Sequence, residues 1–277
     1  MLKKKIAILC HENAGRRNPE KYAISLLADI WRQDGLDVFY VFGVKKFIPA
    51  DLAIIHVDLS VVLDEYLEFA HRYPVVLNGK VKDIRKSFFS RNIVKKNDAY
   101  DGKVIVKSNL NCAGSAERKF ASWGVFPFVK KYIRPLRFNK PTDYIIYDHR
   151  NDIPHKYFNS DHFVVEKFLP EMENDCYFVR CYHFLGSRGT CIRLKSNQPI
   201  VNSKTYQSME FVEPHPEIIE QCERLQFDYG KFDYVIHDGR VVLLDVNKTT
   251  GTGRIVLDPK MEKLRRIRAA AIYSYLP

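Results

Sequence analysis

The dipeptide Asp238-Gly239 lies between two apolar runs, Lys231 to Ile236 and Val241 to Val246. Asp-Gly readily supplies the left-handed residues of a tight hairpin turn, so the two runs are expected to pair as antiparallel strands. That pairing fixes where three polar side chains point. Asp245 and Asn247 are two residues apart and share a face of their strand. Asp233 falls roughly across from Asp245. Two carboxylates and an amide thus converge on one face of an otherwise apolar hairpin. An oxygen donor set of this size suits Mg²⁺, which takes one or two carboxylates and completes its shell with substrate phosphates. The structural alternative makes Asp245 a paired core acid and Asp233 a surface acid.

The first 80 residues have a different rhythm. Lys5 to Cys10 reads as a short buried strand, followed by a polar loop from His11 to Asn18. Apolar residues from Tyr22 to Trp31 then recur at helical spacing until Asp34-Gly35. Val38 to Phe42 and Leu52 to Val57 read as strands, Leu63 to Arg72 as an amphipathic helix, and Pro74 to Leu77 as a fourth strand. Strands alternating with helices imply a small parallel sheet. No G-x-G-x-x-G follows the first strand, which gives a dinucleotide site little support.

Composition narrows the class. With 46% hydrophobic and 28% charged residues the sequence is that of a globular chain. No apolar run approaches the ~20 residues of a membrane helix. The stretch after Met1 is too short for a secretory core and reads as the first strand. The six cysteines show neither C-x-x-C nor zinc spacing and are expected to be free thiols in a reducing cytoplasm. A formal charge of +11 suggests an anionic partner. Nucleotide phosphates, an anionic substrate and nucleic acid all fit; solvated basic surface is the plain alternative.

Two further stretches carry chemistry. Lys103 to Lys107 is a strand ending in lysine, followed by a small-residue loop, Ser108 to Ser115. An ammonium group there, with loop N–H groups, can face phosphates. Phe163 to Phe168 is a strand that breaks at Pro170 beside Glu171 and Glu173. Backbone groups freed at such a strand end can read an adenine edge, and a following acid can accept ribose hydroxyls. Residues 116 to 160 read as the least regular part, aromatic, basic and proline-rich. So long a connection suggests a functional segment. The tail, Met261 to Tyr275, reads as a basic amphipathic helix.

Taken in order, Val104-Ile-Val-Lys107 with Gly114, then Val165-Glu166-Lys167-Phe168-Leu169, then Phe232-Asp233-Tyr234 with Leu244-Asp245-Val246-Asn247 and Gly251, resemble the ATP-grasp superfamily. The general likeness is to its carboxylate–amine ligases, such as the D-alanine ligases and the ribosomal-protein glutamate ligases. The resemblance implies an α/β (α+β) ATP-grasp fold. Residues 1–80 would be a Rossmann-like lobe preceding the ATP-grasp domain at 81–277, whose small lobe covers about 81–165 and large lobe about 166–277. It implies ATP and Mg²⁺. Lys107 would contact the α- and β-phosphates, with an earlier phosphate lysine near Lys86, where Arg91 competes. The loop through Gly114 would cover the phosphates. The backbone at Lys167 and Leu169 would bind adenine, with Glu166 nearby, and Glu173 would hold the ribose. Asp233, Asp245 and Asn247 would hold Mg²⁺. Asp245 stands where glutamate is usual, which shortens its reach, and the 116–160 stretch is longer than the usual link.

Beside this, Arg180 and Arg193 lie in strands expected to flank the site, where an arginine can stabilise a transferring phosphoryl group. Arg254 is a candidate for a substrate carboxylate, and His11, Glu12 and Asn13 for an acceptor pocket at a strand end. The expected activity is an ATP-dependent ligase joining a small-molecule or peptide carboxylate to an amine through an acyl phosphate. The alternatives are a kinase on the same scaffold and a basic nucleotide- or nucleic-acid-binding protein without turnover. The sequence names neither the acid nor the amine, and it does not give the oligomeric state.

Overall fold

The computed structural model describes residues 3–16, 21–122, 144–252 and 259–277. Four strands, β1 (Lys5–Cys10), β2 (Asp37–Phe42), β3 (Leu52–His56) and β4 (Val75–Leu77), form a parallel sheet in the order β2-β1-β3-β4. Alternation along β1 explains its two coats. Ile6 and Ile8 join a core with helix α1 (Ala23–Gln33), whereas Ala7 and Leu9 join one with helix α2 (Asp64–Ala70). All four β1 residues are fully buried, as expected of a parallel strand covered on both faces.

A small antiparallel sheet follows, β6-β5-β7, made of β5 (Val104–Ser108), β6 (Ile145–Tyr147) and β7 (Phe163–Lys167). The third sheet is antiparallel and has six strands: β8 (Glu171–Glu173), β9 (Cys176–Leu185), β10 (Arg188–Ser196), β11 (Ser208–Val212), β12 (Tyr229–His237) and β13 (Arg240–Asn247). Its order is β11-β10-β9-β12-β13, with β8 also on β9. The other α-helices described are α3 (Lys86–Phe89), α4 (Ser115–Ser122), α5 (Pro216–Arg224) and α6 (Pro259–Ala269).

The hairpin expected at Asp238-Gly239 forms. Both residues are left-handed, at φ 49° and 73°, the two-residue geometry that matches strand twist. The stretch expected to be irregular is partly ordered into elements. Helix α4 opens it and β6 pairs with β5 inside it. Three residues are too few to show a period, which is why β6 escapes a pattern search. The remainder, 123–143, lies outside the described residues, as does Arg254.

The large sheet divides the molecule by strand parity. One face carries Tyr182, Phe184, Phe232, Tyr234 and Val246, packed with Ile218 and Cys222 of α5 and with Phe89 of α3. The other carries Cys181, His183, Lys231, Asp233, Asp245 and Asn247. Among the ties between the parallel-sheet unit and this layer are two buried ones. Trp31 donates its indole N–H to the Ala269 carbonyl (2.9 Å). The buried Asn78 side chain accepts from the N–H groups of Asp228 and Tyr229 and donates to the Tyr229 carbonyl.

Candidate active site

The hairpin brings Asp233 directly opposite Asp245, and Lys231 opposite Asn247. The turn alone would not do this. Counted back from His237–Arg240, regular pairing would set Asp233 against Leu244. A bulge between Asp233 and Tyr234 shifts the register by one and aligns the acids. Two carboxylates side by side on one face repel, and two lysines offset that. Lys231 Nζ lies 2.8 Å from Asp233 Oδ2. Lys86 Nζ, from α3, donates to Asp245 Oδ1 at 3.0 Å. Burial disfavours charge on both lysines, yet the neighbouring carboxylate outweighs it and holds each above the ordinary lysine range.

Asp233 Oδ1 is buried and has no hydrogen-bond partner among the described residues. Asn247 Oδ1 accepts from both the N–H (2.7 Å) and the hydroxyl (3.2 Å) of Thr249, which fixes the direction of the amide. An orphaned carboxylate oxygen, a second carboxylate and an oriented amide oxygen fit a hard cation that keeps other ligands. They do not form an all-protein cage: among the described residues no three His, Cys, Asp or Glu side chains cluster as a metal site.

Beside this face, between the small sheet and the large one, is a cavity of about 190 Å³. It is lined by Lys86, Lys107, Tyr144, Leu169, Val201 and Asp245, among others. Its apolar walls, with three lysines (Lys86, Lys107 and Lys167) and two acids (Asp233 and Asp245) in the lining, suit a flat heterocycle carrying phosphates. Lys107 is 5% exposed and ion-paired with the equally buried Glu166 (2.6 Å). The N–H of Lys167 donates to the Asn92 carbonyl and that of Phe168 to the Lys103 carbonyl. The Lys167 N–H is therefore committed within the fold, an observation that leaves its carbonyl untouched.

The loop after β5 is tight. Asn111 to Gly114 make a short 3₁₀ turn with Cys112 and Ala113 both left-handed, φ 46° and 53°. Such a conformation costs about 1–2 kcal/mol per L-residue, and strain of this kind concentrates at functional sites. Gly114, φ 71°, follows them. Cys112 lines the cavity just described and two more. One, about 290 Å³, lies against Asp58, Ser60, Glu117 and Asn247. The other, about 450 Å³, runs from Lys231 and Asn247 toward α6.

Several expected site residues are elsewhere. Arg180 and Arg193 pair across β9 and β10, on the face opposite Asp233, because Arg180 aligns with Tyr234 while Asp233 aligns with Cys181. Glu171 clamps both arginines, and Glu173 and Glu210 hold Arg193 as well. The expectation that they reach the phosphates fails on parity: each sits one residue off the face that matters. Glu173 is engaged by Arg193 and does not line the heterocycle-sized cavity. His11 is fully buried, stacked on Phe120 at 3.9 Å, with its pKa pushed down to about 4 by burial. Residues not anticipated are Lys231, Tyr144, Cys112 and the segment Pro199 to Asn202, which closes the cavity wall. Lys231 was findable, two residues before Asp233 on the same face. The 199–202 segment has no local signature.

No protein-family model matches the sequence, and no curated protein matches it. Solved structures do. The ATP-grasp ligase PsnB in complex with a minimal precursor is similar over 99% of both chains, at TM-score 0.54 and 10% identity. The chain has the ATP-grasp fold. The VanG D-Ala:D-Ser ligase from Enterococcus faecalis is similar over 100% of both chains (TM-score 0.53, 12% identity). A D-alanine–D-alanine ligase from Bacillus anthracis is similar over 99% of this chain and 96% of its own (TM-score 0.51, 12% identity). At such identities the likeness is one of ATP-grasp architecture, and sites must be argued from this chain's own residues.

Proposed function

We propose that this protein is an ATP-dependent carboxylate–amine ligase. The observation that carries the reading is the meeting of three cavities at the strained Cys112–Ala113 turn, beside the Asp233–Asp245 pair. A ligase of this kind handles three substrates around one phosphoryl group, whereas a kinase needs room for two. The named ligases that share the fold support the same reading.

In this reading residues 1–80 form a preceding lobe, and ATP occupies the cavity between the small and large sheets. Leu169 and Pro170 flank the base, and Lys86 and Lys107 face the phosphates. Asp233, Asp245 and Asn247 would hold Mg²⁺, which would supply positive charge to offset that of the phosphates. Lys86 and Lys231 neutralise the two acids and move toward phosphate oxygens once those acids are engaged. Buried walls exclude water, which would otherwise capture the activated acid. A carboxylate oxygen attacks the γ-phosphorus, the bond to the β-phosphate oxygen breaks, and ADP leaves. The amine nitrogen then attacks the acyl carbon, phosphate departs, and the amine gives up a proton.

The test is a screen for nucleotide-product release over acids and amines with mass detection, including hydroxylamine to trap an acyl phosphate. Expected are ADP, phosphate and, with the right acid, its hydroxamate. Release of AMP and pyrophosphate would overturn the mechanism. The metal assignment has its own check. Asp233→Asn and Asn247→Ala should each weaken Mg²⁺-dependent nucleotide binding by about tenfold or more in calorimetry; unchanged affinity in both refutes it.

A further inference from the structure

The 450 Å³ cavity has an unusual charge balance. Three cationic side chains line it, Lys231, Arg265 and Arg268, and no Asp or Glu does. Two of the three are matched nearby: Lys231 by Asp233, and Arg265 by Glu262 at 2.6 Å. Arg268 is not. It is half-buried, its Nε is sealed from solvent without an acceptor, and it has no ion-pair partner among the described residues. The titratable groups that act on its charge are Tyr229 and Arg265, a phenol and another cation. His183 also lines the cavity; an imidazole carries no negative charge in either protonation state, and burial, then the positive charges of Arg268 and Lys231, push its pKa down.

A partly buried guanidinium with no facing anion is poorly satisfied in the free protein, and its fork of donors matches a carboxylate. Lys231 and Asn247 enter the lining from the strands that carry the candidate metal face, and Arg265 and Arg268 enter it from α6. The lining also includes Ile192, Met209 and Leu264, which suit a short aliphatic spacer.

Resting on the ligase reading, we propose that this cavity binds the acid substrate and that the substrate carries a second carboxylate, held by Arg268. The reacting carboxylate lies toward Lys231 and Asn247 and the distal one toward α6. The 290 Å³ cavity, lined by Asp58 and Glu117 together with Lys21 and Lys119, is left to the amine. The substrate class is therefore a diacid, either a small dicarboxylate or a peptide with an acidic side chain near the reacting group.

The experiment is calorimetric titration of the full chain, with Mg-ADP present, against glutarate, L-glutamate and L-alanyl-L-glutamate, each beside its mono-amide. At least one diacid should bind tenfold or more tighter than its mono-amide, and Arg268→Gln should erase that difference, with Mg-ADP binding as the control for folding. In thermal melts without ligand, Arg268→Met should unfold at a higher temperature than wild type, and the preferred diacid should raise the midpoint of wild type only. Equal affinity for every diacid and its mono-amide overturns the proposal, whether or not the variants fold. So does a preference that survives Arg268→Gln. Inorganic phosphate is the competing source of an anion, and Arg268-dependent phosphate binding without a diacid preference would make this a product site and sink the substrate assignment. Failure of the ligase reading looks different: diacids still bind through Arg268, but no acid–amine pair releases ADP.

Discussion

Lys107 and Glu166 show how burial changes the meaning of a residue. As a lysine at the end of an apolar strand, Lys107 promises an exposed ammonium whose loss the fold would tolerate. In place, it is 5% exposed and its Nζ is 2.6 Å from a carboxylate that is itself buried. Removing the lysine strands Glu166 in low dielectric, at a cost of about 3–5 kcal/mol. Lys107→Met alone is therefore expected to unfold at markedly lower denaturant. Lys107→Met/Glu166→Gln should recover most of the loss, since a neutral amide needs no counter-ion. The double variant is the one that reports on phosphate contact: it should fold yet release ADP at least tenfold more slowly. Full activity in the folded double variant removes Lys107 from the site. Lys248 is a second buried lysine, fully shielded and donating to the Leu59 carbonyl at 2.8 Å. Burial lowers its pKa to about 8, so it anchors the turn after β13 to the end of β3 with only partial charge in mildly alkaline solution.

At the scale of elements, the β12–β13 hairpin is built around one tight contact. Gly230 lies where an added Cβ would meet the Asn247 carbonyl oxygen at 2.7 Å, a backbone atom that cannot swing aside. Gly230→Ala must therefore push the end of β13 outward, and Asn247 moves with it. The expected result is weaker Mg²⁺-dependent nucleotide binding, by about threefold to thirtyfold, with cooperative unfolding retained. Nucleotide affinity equal to wild type would show that the position of Asn247 does not matter. The bulge beside Asp233 acts in the same direction by aligning Asp233 with Asp245. Hairpin, bulge and glycine together set the acid pair to within one residue of register.

For the whole molecule, polar ties hold the parallel sheet against the large sheet, and the Asn78 side chain makes several of them. Its side chain accepts two N–H groups and donates to one carbonyl across 150 residues of sequence, from a left-handed backbone at φ 58°. Asn78→Ala leaves those buried groups without partners and places a residue with no polar side chain in a conformation that favours asparagine. A loss of about 3 kcal/mol in unfolding free energy is expected from denaturant titration; a loss below about 1 kcal/mol would mean that water replaces the side chain at no cost. The comparison also bears on function, because the 290 Å³ cavity has walls from both sides of this junction, Asp58 following β3 and Asn247 ending β13.

Local pattern determined a good part of this protein. Alternation and helical spacing placed the four parallel strands and their helices, and Asp-Gly placed the hairpin, because those signals depend on neighbours within a few residues. The Asp233–Asp245–Asn247 face was readable for the same reason: a hairpin converts sequence distance into position. The tertiary structure decided the rest. Strand parity put Arg180 and Arg193 on the far face, under Glu171, since one residue of offset reverses a side chain and only the register against β12 reveals it. Lys86 meets Asp245 across 159 residues, and Arg268 comes to the Lys231 cavity from the last helix. Such contacts are set by how layers pack, and no local period encodes that.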